Sequence, residues 1–438
     1  MLRIDDHYFC SEDLMEFHKK VAIEFSAIDF YSYSAKRIAV CTPNMVEWLA
    51  LVLYCKERGL SIAPVHPDTP FSTALLKAES MKCDALWWQN IDGLQLIEQA
   101  DNKNTKSRKS GMIQMSSGTT GAPKIIERSW AEIDEEIAAY NAMLGLSPDT
   151  TPVLVCSVTH SYGLICGVLA SLARGATPHV LTSWNPKYAH RILSNYADAI
   201  LYSSPPFIHS IIQMFPQPSF PYAVMTSGTL LPESWFVTMK ARFRHFFQQY
   251  GCSEIGCTTI AKNPRSGDII GRPLPHLCLT TNPDQNSLDT PAELVVVAKG
   301  KIVHTQDLVF QDKDGDWHFV SRLDDTIIVS GINVYPQEVE NGIAHLPGIE
   351  EVVVYRKSDD LVGQRVAAVY VASREIPQPE LRTWCTQYLA RHQWPSFWQR
   401  VTSIPRMNNG KISRRMLAEM DLAPYLVSSE IQKRETIV

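Results

Sequence analysis

The chain has 438 residues, 45% hydrophobic and 20% charged, with a formal net charge of -5. That length accommodates about two or three domains and a large core, and that charge excludes a polybasic protein built to hold nucleic acid or an anionic membrane surface. The 10 cysteines form no CxxC pair and no zinc-finger spacing, so they read as thiols of a reducing compartment.

The start of the chain, Met1-Leu2-Arg3-Ile4-Asp5-Asp6-His7, has no basic stretch followed by an apolar one. The most apolar run, around 162–173, is too short to span a bilayer. The expectation is a soluble cytoplasmic protein with no membrane insertion. Leu14, Phe17, Val21 and Phe25 recur at helical spacing over 11–28, with Ser11 in N-cap position. Residues 37–41 read as a buried strand closed by Thr42-Pro43, 45–58 as a helix ending at Gly59, 61–65 as a strand, 72–81 as a helix and 85–88 as a strand. Strand, helix, strand at these lengths predicts parallel α/β layers. Residues 99–110 are polar and basic and read as a solvated linker.

After the apolar lead-in Gly111-Met112-Ile113 comes Ser116-Ser117-Gly118-Thr119-Thr120-Gly121-Ala122-Pro123-Lys124, followed by Ile125-Ile126 and a polar, helix-like segment. Hydroxyls, two glycines and a lysine make a poor core element and a good anion cradle: glycines let amides turn inward, hydroxyls donate, and lysine supplies charge. It is not a Walker A loop, because Gly118 and Gly121 are too close and no Ser or Thr follows Lys124. A surface loop of the same composition is the competing reading.

The alternation then resumes: strands at 151–159, 178–182, 199–203, 222–227 and 246–250, helices at 163–174, 186–196, 206–214 and 233–244. Open α/β sheets place ligands at the carboxyl ends of their strands. There lie His160 to Gly163, Ser204-Pro205-Pro206, Ser227-Gly228-Thr229 and Tyr250-Gly251-Cys252-Ser253-Glu254. From about residue 260 β runs take over, at 277–281, 293–298, 301–310 and 317–322. A compact α+β unit follows, with strands at 326–329, 350–356, 365–372 and 398–403 and helices at 336–345 and 378–391. Its last element opens on a turn that puts Lys411 on an exposed tip.

Four stretches in order, 116–124, Tyr250 to Glu254, Thr305-Gln306-Asp307 through Arg322 to Gly331, and Asn409-Gly410-Lys411, resemble the adenylate-forming (AMP-binding) superfamily of acyl- and aryl-CoA synthetases, peptide adenylation domains and luciferases. The resemblance runs from about residue 35 to 420, with residues 1–110 short for the N-terminal subdomain. It implies a large N-terminal domain, 1–322, of layered α/β subdomains plus a small β subdomain, and a small mobile α+β C-terminal domain, 323–438, carrying the catalytic lysine. It implies that Ser116, Ser117, Gly118, Thr119, Thr120, Gly121 and Lys124 hold ATP phosphates. Tyr250 stacks on adenine with Ser227 and Gly228 facing it, and Gly251 and Ser253 of the same turn bind the nucleotide with it. Glu254 binds Mg²⁺, Asp307 and Arg322 hold the ribose, and Lys411 bridges the acid and the α-phosphate. Asp324 matches the hinge about which the small domain turns, bringing the region near Gly331 to a channel for a pantetheine thiol.

Some positions depart from the family's usual pattern. Ile125 stands where a small residue is common, Gln306 and Ser321 where glycine is usual, and Ile328 where lysine is frequent. His160-Ser161-Tyr162-Gly163 offers no carboxylate for a substrate ammonium, and a buried cation without a counter-charge is costly. The pattern is similar to acyl- and aryl-CoA synthetases, where His160 and Tyr162 would wall the acid pocket and His160 would act in catalysis. Met225, Cys252, Cys166, Ile255 and Gly228 are candidates for an uncharged lining. The reading is an acid–thiol ligase: a small aryl or acyl acid and MgATP give an acyl-adenylate, and the thiol of CoA or of carrier-protein phosphopantetheine displaces AMP. A stand-alone amino-acid-adenylating domain and a catalytically silent nucleotide-binding relative are the alternatives.

Overall fold

The computed structural model describes residues 1–28, 30, 36–97, 109–116, 124–216, 218–228, 231–281, 290–329, 332–359, 363–407 and 410–427. The chain packs as two compact units. One is Met1–Thr226 with Gln249–Ile260 and Pro273–Leu277; the other is Ser227–Gln248 with Ala261–Arg272 and Cys278–Val438. The linker expected at 99–110 falls mostly outside the described residues.

In the first unit one sheet runs in the order Leu94–Leu96, Ala85–Trp88, Arg37–Cys41, Ser61–Pro64, Gly111–Ser116, Lys124–Ser129. Its centre is parallel, with Ile38 opposite both Ile62 and Ala85. Every residue of Arg37–Cys41 is buried, the pattern of a parallel strand covered on both faces. Helix Met45–Arg58 buries Trp48, Leu49, Leu51, Val52, Tyr54 and Cys55, and the Asn44 side chain accepts from the amides of Val46 and Glu47 at its start. Helix Ser11–Ala27 differs from expectation at its cap. Cys10, not Ser11, is the N-cap, and its amide donates to the Asp13 carboxylate at 2.8 Å.

The unit's other strands are Ala223–Thr226, Ala199–Ser203, Thr151–Val155 and His179–Val180, neighbours in that order and parallel. Two short strands extend this sheet beyond what the sequence showed. Leu2–Ile4 runs parallel to His179–Val180, and His7–Phe9 folds back against it. Leu2 and Ile4 are buried and Arg3 is exposed, an alternation too brief to read from sequence.

Two further differences lie near the Ser/Gly/Thr stretch. The segment after Lys124 is a strand, Lys124–Ser129, with Ile126 and Arg128 buried and Glu127 exposed between them. The helix begins only at Trp130, where Ser129 and Glu132 form a reciprocal capping box. In addition, Tyr162–Leu169 is a π-helix, passing into a short α-helix at Ala170–Ala173.

The second unit carries antiparallel strands in the order Cys278–Thr280, Ala292–Ala298, Lys301–Gln311, Trp317–Arg322, Ile269–Pro273. Lys299 and Gly300, at φ 41° and 81°, make the two-residue turn between paired Ala298 and Lys301. Ile269–Pro273 and the preceding Gly256–Lys262 are strands that the sequence reading did not find. The C-terminal part orders its sheet as Ile332–Val334, Ile327–Val329, Gly363–Ala372, Ile349–Asp359, with Phe397–Arg400 parallel to Gly363–Ala372. Along Ile349–Asp359 the faces alternate. Val352 and Val354 pack with Val339, Ile343 and Leu381, while Val353 and Tyr355 pack with Leu417 and Leu422. The whole is α/β, with a β subdomain and a smaller α+β C-terminal part, as the sequence predicts. Among the described residues no helix is long and apolar enough to cross a membrane.

The β subdomain is pinned by His318, whose Nδ1 lies 2.7 Å from Asp268 and whose Nε2 lies 3.1 Å from Asp312. Only the imidazolium donates from both nitrogens. Burial opposes that charge, but the two carboxylates outweigh it and raise the pKa above the ordinary 6.5. The stabilisation is therefore complete below that value and lost as pH climbs through the raised one. In urea melts, His318→Gln is expected to cost about 2 kcal/mol at pH 6, a gap that closes towards pH 9. A gap independent of pH would show the ring to be neutral.

Candidate functional site

The first unit contributes three elements. Gly111–Ser116 and Lys124–Ser129 form an antiparallel hairpin in which Ser116 pairs with Lys124. Ser117, Gly118, Thr119, Thr120 and Gly121 lie outside the described residues, and Lys124 is exposed.

The second element is the turn after Phe246–Cys252. Tyr250, Cys252 and Glu254 are half-buried, and Gly251 and Ser253 are exposed. The turn is tight because glycines close it at both ends. A side chain on Gly251 would collide with the Gly256 carbonyl, and Gly256, at φ 97°, faces Arg128 and Glu136 where a Cβ would strike both. The Ile255 amide donates to the Cys252 carbonyl at 3.3 Å across the turn. Gly256 was not singled out from sequence, although a glycine two residues beyond Glu254 was a usable signal.

The third element is the turn after Thr151–Val155. His160 is exposed, so it is not a core histidine, and its carbonyl accepts from Leu164 at 2.9 Å. Ser161 donates to Gln114 at 2.8 Å, tying this turn to the strand that leads into the cradle. Gln114 did not stand out in the sequence, and Ser161 did so only as part of the His160–Gly163 stretch. The Tyr162 hydroxyl lies 2.6 Å from the Met225 carbonyl and 3.2 Å from that of Ser203. Burial pushes this phenol well above its ordinary pKa, so the OH stays a donor to the strand ends. Met225, Cys166 and Ile255 are buried, at 0%, 2% and 6% exposure, and Met225 meets Tyr162 through its carbonyl.

The second unit gathers the rest. Asp307 and Arg322 stand directly opposite on paired strands, Nη1 to Oδ1 3.1 Å apart, with Asp307 only 5% exposed. Arg322 Nε also donates to Asp324 at 3.1 Å, in the turn that leaves the β subdomain. A buried acceptor-only carboxylate beside a guanidinium suits a pair of vicinal hydroxyls. Gln306 has φ 60°, the left-handed backbone for which glycine is the natural occupant. The departure from glycine there costs about 1 kcal/mol of strain; Ser321 shows no positive φ and incurs none.

Lys411 lies beside this pair. Its surface is exposed, yet the surrounding protein and the Arg322 guanidinium press its ammonium below the ordinary lysine value, with Asp307 pulling the other way. A Cβ on Gly228 would be 4.0 Å from Lys411 Cε, and Ser227 precedes it half-buried. The lysine turn is held from below. The Met407 amide donates to the Lys411 carbonyl at 2.9 Å, and Arg414 donates to both Glu340 oxygens at 2.9 and 3.0 Å, to Asp325 at 3.2 Å and to the Val354 carbonyl at 2.9 Å. Arg414 thereby binds the lysine turn to the turn containing Asp324. Gly331 and Asn409 lie outside the described residues.

Among the described residues no group of three or more His, Cys, Asp or Glu is placed to hold a metal ion. A Mg²⁺ at Glu254 would draw its remaining oxygens from a nucleotide, as this hard cation commonly does.

Residues 71–297 match the AMP-binding enzyme family, and residues 338–411 match the AMP-binding enzyme C-terminal domain. The chain is 37% identical over 390 residues to a 3,4-dihydroxybenzoate–[aryl-carrier protein] ligase from Bacillus anthracis, covering 89% of this chain and 92% of the relative. It is 23% identical over 425 residues to a 2-succinylbenzoate–CoA ligase from Oceanobacillus iheyensis, covering 87% and 88%. Its fold is similar to ATP-bound MatB from Rhodopseudomonas palustris, at TM-score 0.82 and 18% identity with 95% of each chain covered. It is also similar to o-succinylbenzoate CoA synthetase from Bacillus subtilis in complex with its acyl-adenylate intermediate, at TM-score 0.80 and 18% identity, covering 96% and 95%.

Glu340 is buried and burial pushes its carboxyl up even against Arg414, so removing that partner leaves either an unpaired buried charge or a carboxyl that must take up a proton. Arg414→Ala is expected to cost about 3–5 kcal/mol in urea unfolding. Arg414→Lys, which keeps the charge but not the fork, should recover part of that.

Proposed function

Since the chain belongs to the AMP-binding enzyme family and is an AMP-forming acid–thiol ligase, we propose that it activates a small aromatic acid and passes it to the phosphopantetheine thiol of an aryl carrier protein. The observation that carries this is the 37% identity to an aryl-carrier-protein ligase across 89% of the chain. The His160 turn supports an uncharged acid pocket, since it supplies no carboxylate and seats Tyr162 with its hydroxyl engaged elsewhere. A cytoplasmic setting, with ATP at hand, accords with this reading.

The residues take the following parts. The 116–124 stretch and Lys124 hold the β- and γ-phosphates. Tyr250 offers a flat ring to adenine, Ser227 and Gly228 are assigned to the same base, and Asp307 and Arg322 take the ribose hydroxyls. Mg²⁺, held by Glu254 and phosphate oxygens, would offset charge on the triphosphate. A carboxylate oxygen of the acid attacks the α-phosphorus as the bond to the β-phosphate bridging oxygen breaks, releasing pyrophosphate. Two anions approach in that step, and Lys411 supplies the charge that meets them. The thiolate then adds to the acyl carbonyl and AMP leaves with the electron pair of the cleaved C–O bond. Between the two steps the small domain, 323–438, turns about Asp324, exchanging Lys411 for the face near Gly331. His160 and Cys252 border the acid.

Lys411→Ala should lower acid-dependent ATP–pyrophosphate exchange by about 10³-fold while ATP binding by calorimetry changes less than about threefold. An active Lys411→Ala enzyme would overturn that role. In an exchange panel, hydroxybenzoates should support turnover and amino acids should not. With the best acid, a pantetheinylated aryl carrier protein should be acylated faster than CoA; a preference for CoA would refute the acceptor assigned here.

A further inference from the structure

The first unit buries an ion pair with no part in the roles above. Arg128, in the strand leaving the cradle, pairs with Glu136 of helix Trp130–Leu144, and their side chains are 4% and 0% exposed. The two oxygens of Glu136 face different ways. Oε2 accepts from Arg128, and Oε1 accepts from the Cys257 backbone amide at 2.6 Å. Cys257 follows Gly256, and Gly256 ends the turn that presents Glu254. The fit there leaves no room for a side chain, since a Cβ on Gly256 would strike both Arg128 and Glu136.

The contact continues to the other arm of the same turn. Cys166 Sγ lies 3.8 Å from Glu136 Oε1, Gln249 Nε2 lies 3.5 Å from that sulfur, and the Tyr140 hydroxyl donates to Gln249 Oε1 at 3.0 Å. Gln249 immediately precedes Tyr250. One buried carboxylate therefore touches the strand leaving the cradle directly, one arm of the Tyr250–Glu254 turn directly, and the other arm through Cys166. As a stabiliser a buried pair is a poor investment, because desolvating both charges offsets most of their attraction. As a spacer it is stiff: one carboxylate accepts two charge-assisted hydrogen bonds and so holds the Arg128 side chain and the Cys257 backbone to one point.

We propose that Glu136 is a positioning residue that fixes the Glu254 turn against the strand leaving the cradle, and so sets the spacing at which Glu254 and Lys124 engage a metal-bound triphosphate. The proposal rests on the reading of Glu254 as the Mg²⁺ ligand. Glu136 itself touches neither metal nor nucleotide.

The test is calorimetric binding of ATP with Mg²⁺ and with EDTA, alongside steady-state exchange. Glu136→Gln keeps an acceptor for Cys257 but leaves Arg128 unpaired, so Arg128→Met/Glu136→Met is made beside it to remove both charges and keep the volume. Both variants should bind MgATP about tenfold more weakly, while ATP in EDTA and the KM for the acid change less than about twofold. The double variant should melt within a few degrees of the parent, separating positioning from stability. Double-variant binding of MgATP equal to the parent's would overturn the proposal. Glu254→Gln distinguishes the two levels. If it leaves the Mg²⁺ dependence of binding unchanged, the reading of Glu254 fails and takes the proposal with it. If Glu254→Gln abolishes that dependence and the Glu136 variants do not weaken it, the proposal alone fails.

Discussion

The second unit depends most on the pairing of Asp307 with Arg322. A carboxylate exposed to only 5% needs a partner to remain charged, and the antiparallel register of Lys301–Gln311 with Trp317–Arg322 supplies one directly opposite. That register passes through an irregularity between Leu308 and Val309, and the neighbouring Gln306 takes a left-handed backbone. Local strain is thus concentrated beside the pair, as is common where a strand must aim a side chain. Arg322 extends the arrangement to Asp324, Arg414 extends it through Asp325 to the lysine turn, and Lys411 feels both members of the pair. On the proposed reading, the ribose-binding pair, the hinge and the catalytic lysine are thus linked through one set of charges.

The first unit solves a different problem, that of holding loops still. Two glycines pinch the Tyr250–Glu254 turn, and Ser161 with Gln114 joins the His160 turn to the strand Gly111–Ser116. Both turns are tied to neighbouring backbone or side chains, which limits the conformational entropy to be lost when a ligand orders them. On the proposed reading, the His160 and Tyr250–Glu254 turns act from restrained positions next to buried strands.

Much of this could be read from the chain. Parallel strands such as Arg37–Cys41 announce themselves as short apolar runs between helices, and the four motifs came in family order because chemistry fixes residue types at each. What escaped notice had physical reasons. Leu2–Ile4 and His7–Phe9 are too short for a period to register. Lys124–Ser129 mixes charge with apolar residues, because it carries the buried Arg128, so it resembled the start of a helix. Gly256–Lys262 opens on Gly-Cys-Thr-Thr, and Ile269–Pro273 closes on Gly-Arg-Pro, so neither shows strong alternation. The π-helix at Tyr162–Leu169 has the composition of an α-helix and differs only in its hydrogen bonding. Glu136 is one of several acidic residues in an amphipathic helix, and only its complete burial singles it out.

The seating of Tyr162 bears on fidelity. Its hydroxyl serves two strand carbonyls, so on the proposed reading it meets the acid with a ring face and not with a donor. A pocket wall of that kind sorts ligands by volume and shape. Misfits the size of a methylene are rejected by about 1–3 kcal/mol, whereas a missing hydrogen bond to a dedicated partner is rejected far more strongly. On that same reading such a wall would discriminate weakly between ring substituents of similar size, so the mixture of acids offered would weigh heavily on which thioester forms.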